Sequence, residues 1–308
     1  MQTAIIDPFK YGFIPEELTG EEEILGATEE DEILQPNRDW TPYLGVKEVQ
    51  NLFHETWNCT VFAMWNGLEC YGKRKFEVEI NGSDRFSGKM GGTNPGYGNT
   101  FRNSFATLNR DGFLYEEEYP FDSKDVYEYY KTIDERLKAK ALERTKRFEF
   151  KRKLVSGGAL SPEQLWEALQ YTPLRVSVSA WNYPVNGVYT RVNTIINHAV
   201  LLFKGEYGKF WWIYDSYDDD IKKLSWDFLF GSADAITFNY KFMGNDFVRI
   251  VKDENSAAVG FFIPAISPDA LKSMALAYGK EIPLTAEGGT DWAKAIEGKV
   301  TLNQPVSA

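Results

Sequence analysis

The order of patterns along the chain predicts an α+β fold. Helix-type runs occupy residues 58–171, and runs rich in β-branched and aromatic residues occupy 174–242. A second, shorter set of patterns begins after Met243-Gly244-Asn245. With 308 residues, 43% of them apolar and 15% aromatic, the chain can bury one large core and a small appended module.

Residues 1–38 form an acidic, poorly patterned lead segment with Glu21-Glu22-Glu23 and Glu29-Glu30-Asp31-Glu32. It is expected to lie extended on the surface, long enough at ~3.3 Å per residue to cross a cleft. Residues 58–72 read as a largely apolar central helix, and 81–99 hold a Gly-rich loop, Ser87 to Gly92 through Pro95 to Gly98, that includes Gly96 and Gly98. Residues 100–110 fit a short helix ending near Gly112, and 123–153 are strongly helical in propensity and mixed in charge. Ser161-Pro162-Glu163-Gln164 opens another helix, with a Ser cap, Pro at the first position and Gln three residues after the cap. Strands are expected at 174–180, 198–204, 210–216 and 236–242. Beyond 244, two strand-like runs at 247–250 and 259–263 precede a helix capped by Ser267-Pro268-Asp269 and stopping before Gly279. The expected organisation is a lead segment 1–38, a main domain 39–243 and a C-terminal module 244–308. A module of about 65 residues has a marginal core alone, so it should pack on the main domain or dock to an assembly partner.

Composition narrows the function classes. The formal charge of −11 argues against nucleic-acid binding, which needs a Lys/Arg surface. Residues 1–30 have no basic start followed by an apolar core, so no signal peptide is expected. No apolar run reaches the ~18 residues of a membrane span. Cys59 and Cys70 on one helix would stand roughly 16 Å apart, beyond disulfide reach. A disulfide-free chain fits a reducing compartment, so a cytoplasmic or virion-associated location is expected. The Gly-Lys of the Gly-rich loop lacks the following Ser or Thr of a phosphate loop, and no cofactor or metal is expected.

The chemistry centres on Cys59 and His198, in a chain with two Cys and two His. Cys59 opens the buried helix, where the macrodipole and unpaired amides are expected to favour a thiolate. His198 opens a strand 139 residues later and can act as the base. Asp215 ends the next strand, so a hairpin can bring it to the imidazole, which a carboxylate stabilises in its charged form. Cys70 lies deeper in the helix and reads as core. His54 reads as a surface or pocket-rim residue, and the charged run Lys138 to Lys153 as a solvated helix face.

Six stretches, from about Asp39 to Phe242, resemble the papain-like cysteine peptidases. They are Asp39-Trp40, Cys59-Thr60-Val61-Phe62-Ala63, Gly112-Phe113 through Tyr119-Pro120-Phe121, Pro173-Leu174-Arg175-Val176-Ser177-Val178, Asn197-His198-Ala199-Val200, and Phe210 through Tyr217. The resemblance implies a two-lobed fold, helical on one side and antiparallel β on the other with a cleft between, and a cysteine endopeptidase acting on polypeptides. It implies that Cys59 is the nucleophile, His198 the base and Asp215 the orienting residue where the family carries Asn. Tyr217 stands for the Trp that shields the pair. The family's oxyanion Gln lies six residues before the Cys, a position held here by Phe53. Gln50, nine before, fits if the loop carries three extra residues. Gly96, Gly98, Asn197 and Tyr217 would line the substrate cleft. Secreted relatives have a disulfide Cys where Thr56 stands. The variant looks closest to short members from phages, large viruses and some prokaryotes.

Two other readings remain at this point. One is a papain-fold structural or interaction protein, such as a virion component, suggested by the irregular oxyanion segment and the C-terminal addition. The other is a transglutaminase-like enzyme or cell-wall amidase, which shares the Cys, His, Asp order, although such amidases usually have a shorter Cys–His gap.

Overall fold

The first helix, α1 (Cys59–Phe76), is buried from Cys59 to Gly72, as its apolar sequence demands. It ends at Glu77 in a left-handed conformation, with Lys73, Arg74 and Lys75 at the negative end of its dipole. The structure is a computed structural model that describes residues 11–28, 31–191, 195–217, 220–241, 248–252 and 258–262. The chain divides into two compact units, Met1–Asn239 and Tyr240–Ala308.

Five more helices follow in the first unit. They are α2 (Asp84–Met90), α3 (Phe101–Arg110), α4 (Val126–Tyr129), α5 (Glu135–Thr145) and α6 (Pro162–Ala168). Short polar side chains cap them, and Ser83, Thr100, Asp125, Asp134 and Ser161 each accept a first-turn amide. At α6 the expected reciprocal box forms, with Gln164 accepting from the Ser161 amide.

A seven-stranded sheet supplies the other half. Its strands are β1 (Phe148–Leu154), β2 (Leu174–Val178), β3 (Val188–Tyr189), β4 (His198–Glu206), β5 (Phe210–Asp215), β6 (Asp220–Ser225) and β7 (Ala233–Tyr240), in the order β1-β7-β2-β4-β5-β6-β3. β4 pairs antiparallel with β2 and β5, and β5 with β6, while β3 joins β6 in parallel. α1 lies against β4, where Gly67 leaves only 3.2 Å between its hypothetical Cβ and Leu201.

Two expectations need correcting. The run 123–153 is not one helix: it breaks at residues 130–134 and its last six residues belong to β1. Phe148 and Phe150 alternate with an exposed residue, and the charges of Arg152 and Lys153 are buried against carboxylates, so tertiary partners override helix propensity. The Gly-rich stretch from Ser87 to Gly98 is not all loop, because α2 runs on through Met90.

Buried ion pairs tie the helices to the sheet. Arg175 on β2 holds Asp234 on β7 by two hydrogen bonds, 2.9 and 2.7 Å. Its guanidinium stacks 4.0 Å above Phe101 and donates to the carbonyls of Thr60 and Phe101. That one side chain fixes the first turns of α1 and α3 against the strands. A second polar group is less balanced. Glu48, Glu69 on α1, Asp84 on α2 and Glu116 are packed close enough to repel one another. Burial raises all four carboxyls, and that repulsion adds to it at Glu69, Asp84 and Glu116, the last to about 8.

In the second unit, β8 (Val248–Lys252) and β9 (Ala258–Phe262) form an antiparallel pair with Val248 opposite Phe262. The helix expected from Ser267 to Gly279 lies outside the described residues.

Candidate active site

Cys59 is the first residue of α1, and the Asn58 side chain does not cap that helix. Asn58 instead donates to the Asp84 carbonyl at 2.8 Å and accepts from Thr93 at 2.8 Å. The first-turn amides of α1, including that of Cys59, are therefore left without a side-chain cap. Trp57, two residues before the thiol, is held at φ 51°, a costly backbone for a bulky residue next to a reactive group.

His198 begins β4, and the next residue, Ala199, directs its amide at the Cys59 thiol. Cys59, Ala63, Ala199 and Phe101 share one apolar cluster. The hairpin β4–β5 brings Asp215 Oδ1 to 2.7 Å from His198 Nε2. With Nε2 engaged, Nδ1 is the free ring nitrogen: it is buried and has no hydrogen-bond partner among the described residues. An imidazole so oriented presents Nδ1 for proton exchange.

Three residues that the sequence did not single out complete the electrostatics. Trp181 donates to Asp215 Oδ2 at 2.7 Å, and its ring stands edge-on to His198 at 6.2 Å. Lys222 on β6 places its ammonium 2.9 Å from the same Oδ2, with both side chains at or below 3% exposure. Burial alone would raise the Asp215 carboxyl. His198 and Lys222 outweigh that and hold it well below the usual carboxylate range. Asp215 and Lys222 together form an ion pair with no net charge. The third residue is Glu55, whose Oε1 accepts from Gln50 Nε2 at 2.9 Å and from the Trp57 amide at 2.7 Å.

Gln50 is fully buried beside this group. Its Oε1 accepts from Ser216 at 3.1 Å, and its backbone amide donates to the Ser216 carbonyl at 2.8 Å. Its amide nitrogen donates to Glu55 and, at 3.3 Å, to the carbonyl of Tyr11. Tyr217 is half-buried and donates its backbone amide to Asp215 Oδ1 at 2.9 Å. His54 stands apart, edge-on to Phe121 and Tyr129.

The cleft is filled by the chain's own lead segment. The Tyr11 ring lies 4.6 Å from the His198 ring and 4.7 Å from Tyr217. Phe13 is 3% exposed and packs into the cluster that contains Cys59, with Phe101 5.0 Å away. The backbone is paired on both sides: Asn99 donates to Gly12 at 2.8 Å and accepts from Ile14 at 2.9 Å, while Phe13 donates to the Asn197 carbonyl at 3.3 Å. Glycine is required at both facing positions, Gly12 and Gly98. A Cβ on Gly98 would lie 1.8 Å from the Gly12 oxygen, and one on Gly12 would lie 2.1 Å from the Trp57 oxygen. Gly96, by contrast, faces open space. Of the four expected cleft residues, Gly98 and Asn197 touch the segment's backbone and Tyr217 touches Tyr11. Asn99, which the sequence did not single out, carries the pairing.

Covered in this way, Cys59 and His198 are both fully buried. Burial pushes the Cys59 thiol far up, and the charges of Glu55 and Asp215 push it further. In this closed site the burial works against the helix-stabilised thiolate expected from the sequence. Loss of water outweighs the dipole of α1 here.

No family model and no curated protein matches the chain. Solved structures do. Xylellain, a cysteine protease from Xylella fastidiosa, is similar at a TM-score of 0.56 and 17% identity, over 79% of this chain and 100% of that one. A digestive procathepsin L 3 of Tenebrio molitor larval midgut is similar at 0.52 and 12%, over 75% and 77%. The proform of the ragweed pollen allergen Amb a 11, a cysteine protease, gives 0.49 and 19%, and the chain spans just under two thirds (66%) of its length.

Proposed function

We propose that this chain, which has the papain-like cysteine-protease fold of those structures, is a peptidase that cleaves polypeptides through an acyl-enzyme on Cys59. The observation that carries the reading is the occupant of the cleft. A stretch of extended polypeptide, Tyr11 to Ile14, pairs its backbone with Asn99 and Asn197 directly over Cys59 and His198. Backbone pairing of this kind recognises peptides irrespective of most side chains.

In the proposed reaction the lead segment first gives way to substrate. Nδ1 of His198 takes the Cys59 proton while Nε2–H remains on Asp215. The thiolate attacks the scissile carbonyl. The developing oxyanion is met by the Cys59 amide and by the Gln50 amide, now donating to it instead of to Tyr11. The imidazolium returns its proton to the leaving amine. Water, deprotonated by the same imidazole, then hydrolyses the thioester. Lys222 keeps Asp215 ionised and the group near neutral overall.

The test is labelling by an epoxysuccinyl inhibitor followed by mass mapping. Modification of Cys59 well ahead of Cys70, together with loss of peptide hydrolysis in Cys59→Ala and His198→Ala chains that still fold, is the expected result. Equal labelling of the two cysteines would refute the reading. A second reading, a structural or interaction protein that keeps the fold, draws on the closed state of the site. It requires that no peptide substrate displaces the segment. The C-terminal unit is proposed as an accessory part that docks to a protein assembly, and a cytoplasmic or virion location is proposed from the two free cysteines.

A further inference from the structure

Beyond Phe13 the lead segment places a charged side chain in a buried pocket. The Glu16 carboxylate pairs through Oε1 with the Arg152 guanidinium on β1, and its Oε2 accepts from the Arg102 amide on α3 at 2.7 Å. The two side chains are 9% and 8% exposed. Behind Arg152 lie Asp234 and Arg175, essentially without exposure. Without Glu16 the set would hold two guanidinium groups and one carboxylate. An unmatched buried cation is costly, so the pocket calls for an anion. A forked guanidinium with an adjacent amide is suited to a carboxylate.

This pocket is continuous with the cleft. The Arg175 guanidinium covers one side of Phe101, and Phe101 packs on Phe13 and in the cluster with Cys59. Three extended residues, about 10 Å, separate the position of Phe13 from that of Glu16.

We propose that the Arg152 pocket is a carboxylate-binding subsite, and that polypeptide ligands of this cleft place an Asp or Glu side chain on Arg152 and an aromatic side chain on the surface of Ala63, Phe101 and Ala199. The peptidase reading supplies the setting, but the subsite makes a claim about binding that can fail separately. The lead segment occupies it because it carries the same two side chains, Phe13 and Glu16.

The experiment uses the full chain with Phe13→Ala and Glu16→Ala, which vacates both positions. Fluorescein-labelled peptide of residues 11–18 is titrated by anisotropy against the same peptide carrying Gln in place of Glu16. The acidic peptide should bind at least about tenfold more tightly, the usual worth of a hydrogen-bonded charge, and Arg152→Gln should erase the difference. Equal affinities, absence of binding included, overturn the subsite. If the double variant does not fold, the full chain with Glu16→Gln alone is used with the same criterion. Hydrolysis is scored in parallel. Turnover of both peptides with equal affinity refutes the subsite and leaves the peptidase. An acidic preference without turnover supports the subsite and counts against the peptidase.

Discussion

Replacing Phe13 by Ala should open the site. Phe13 is 3% exposed in the Cys59 cluster, so truncation removes most of a buried aromatic side chain from the contact between segment and cleft. Burying such a side chain contributes about 1.5–3 kcal/mol. That energy is lost only while the segment is seated, so the opening equilibrium should rise about 10- to 150-fold. If reclosure is fast compared with alkylation, the rate of Cys59 modification rises by the same factor. The assay is a time course of epoxysuccinyl labelling, quantified separately at the two cysteines by mass mapping. Cys70, fully buried on the same helix, reports global opening. The reasoning is refuted if Cys59 labels at an unchanged rate, which would mean that the segment does not control access. A parallel rise at Cys70 refutes it too, because the effect would then be general destabilisation.

Three further outcomes are expected. Lys222→Met should lower stability by about 3–5 kcal/mol, the cost of breaking a buried pair, and Asp215→Asn in the same chain should restore much of it. Chemical denaturation of the two single variants and the double variant measures the coupling, and additive losses would rule out the neutral-pair account. The carboxyls of Glu48, Glu69, Asp84 and Glu116 are all raised on folding, so the folded chain binds more protons than the unfolded one above pH 4.5. Stability should therefore fall by a few kcal/mol as pH rises from about 4.5 towards 8, and Glu116→Gln should flatten the slope of the melting midpoint against pH. A chain truncated after Gly244 should keep hydrolysis of small peptides and lose assembly, and loss of small-peptide turnover in a folded truncation would place the C-terminal unit in the active site.

Much of the fold was legible because its signals are local. The apolar run after Cys59, the Ser161 box and the spacing of His198 and Asp215 on adjacent strands each depend on neighbours in sequence. What escaped depends on distant pairing. Lys222 sits beside an acidic turn and looks like a surface charge until β6 folds back on β5. Trp181 and Glu55 lie in loops whose direction is set elsewhere. Residues 148–154 carry three basic residues and good helix formers, and only Asp234, Asp31 and Glu16 make them a strand with buried charges. The lead segment was expected on the surface, with enough length to cross the cleft. Its seat could not be read, because Tyr11, Phe13 and Glu16 carry no periodicity to mark the pockets that they fill.

The segment in the cleft is covalently part of the molecule that it covers. Its effective concentration at the site is fixed by the chain and does not change on dilution. Activity measured on the intact chain should therefore be low at every protein concentration. A free inhibitor would dissociate as the sample is thinned, whereas this one would not. If the chain removes its own segment, the order of the reaction identifies the route. First-order onset, with a lag independent of concentration, means that each molecule cuts itself. A lag that shortens with concentration means that one opened molecule releases the next.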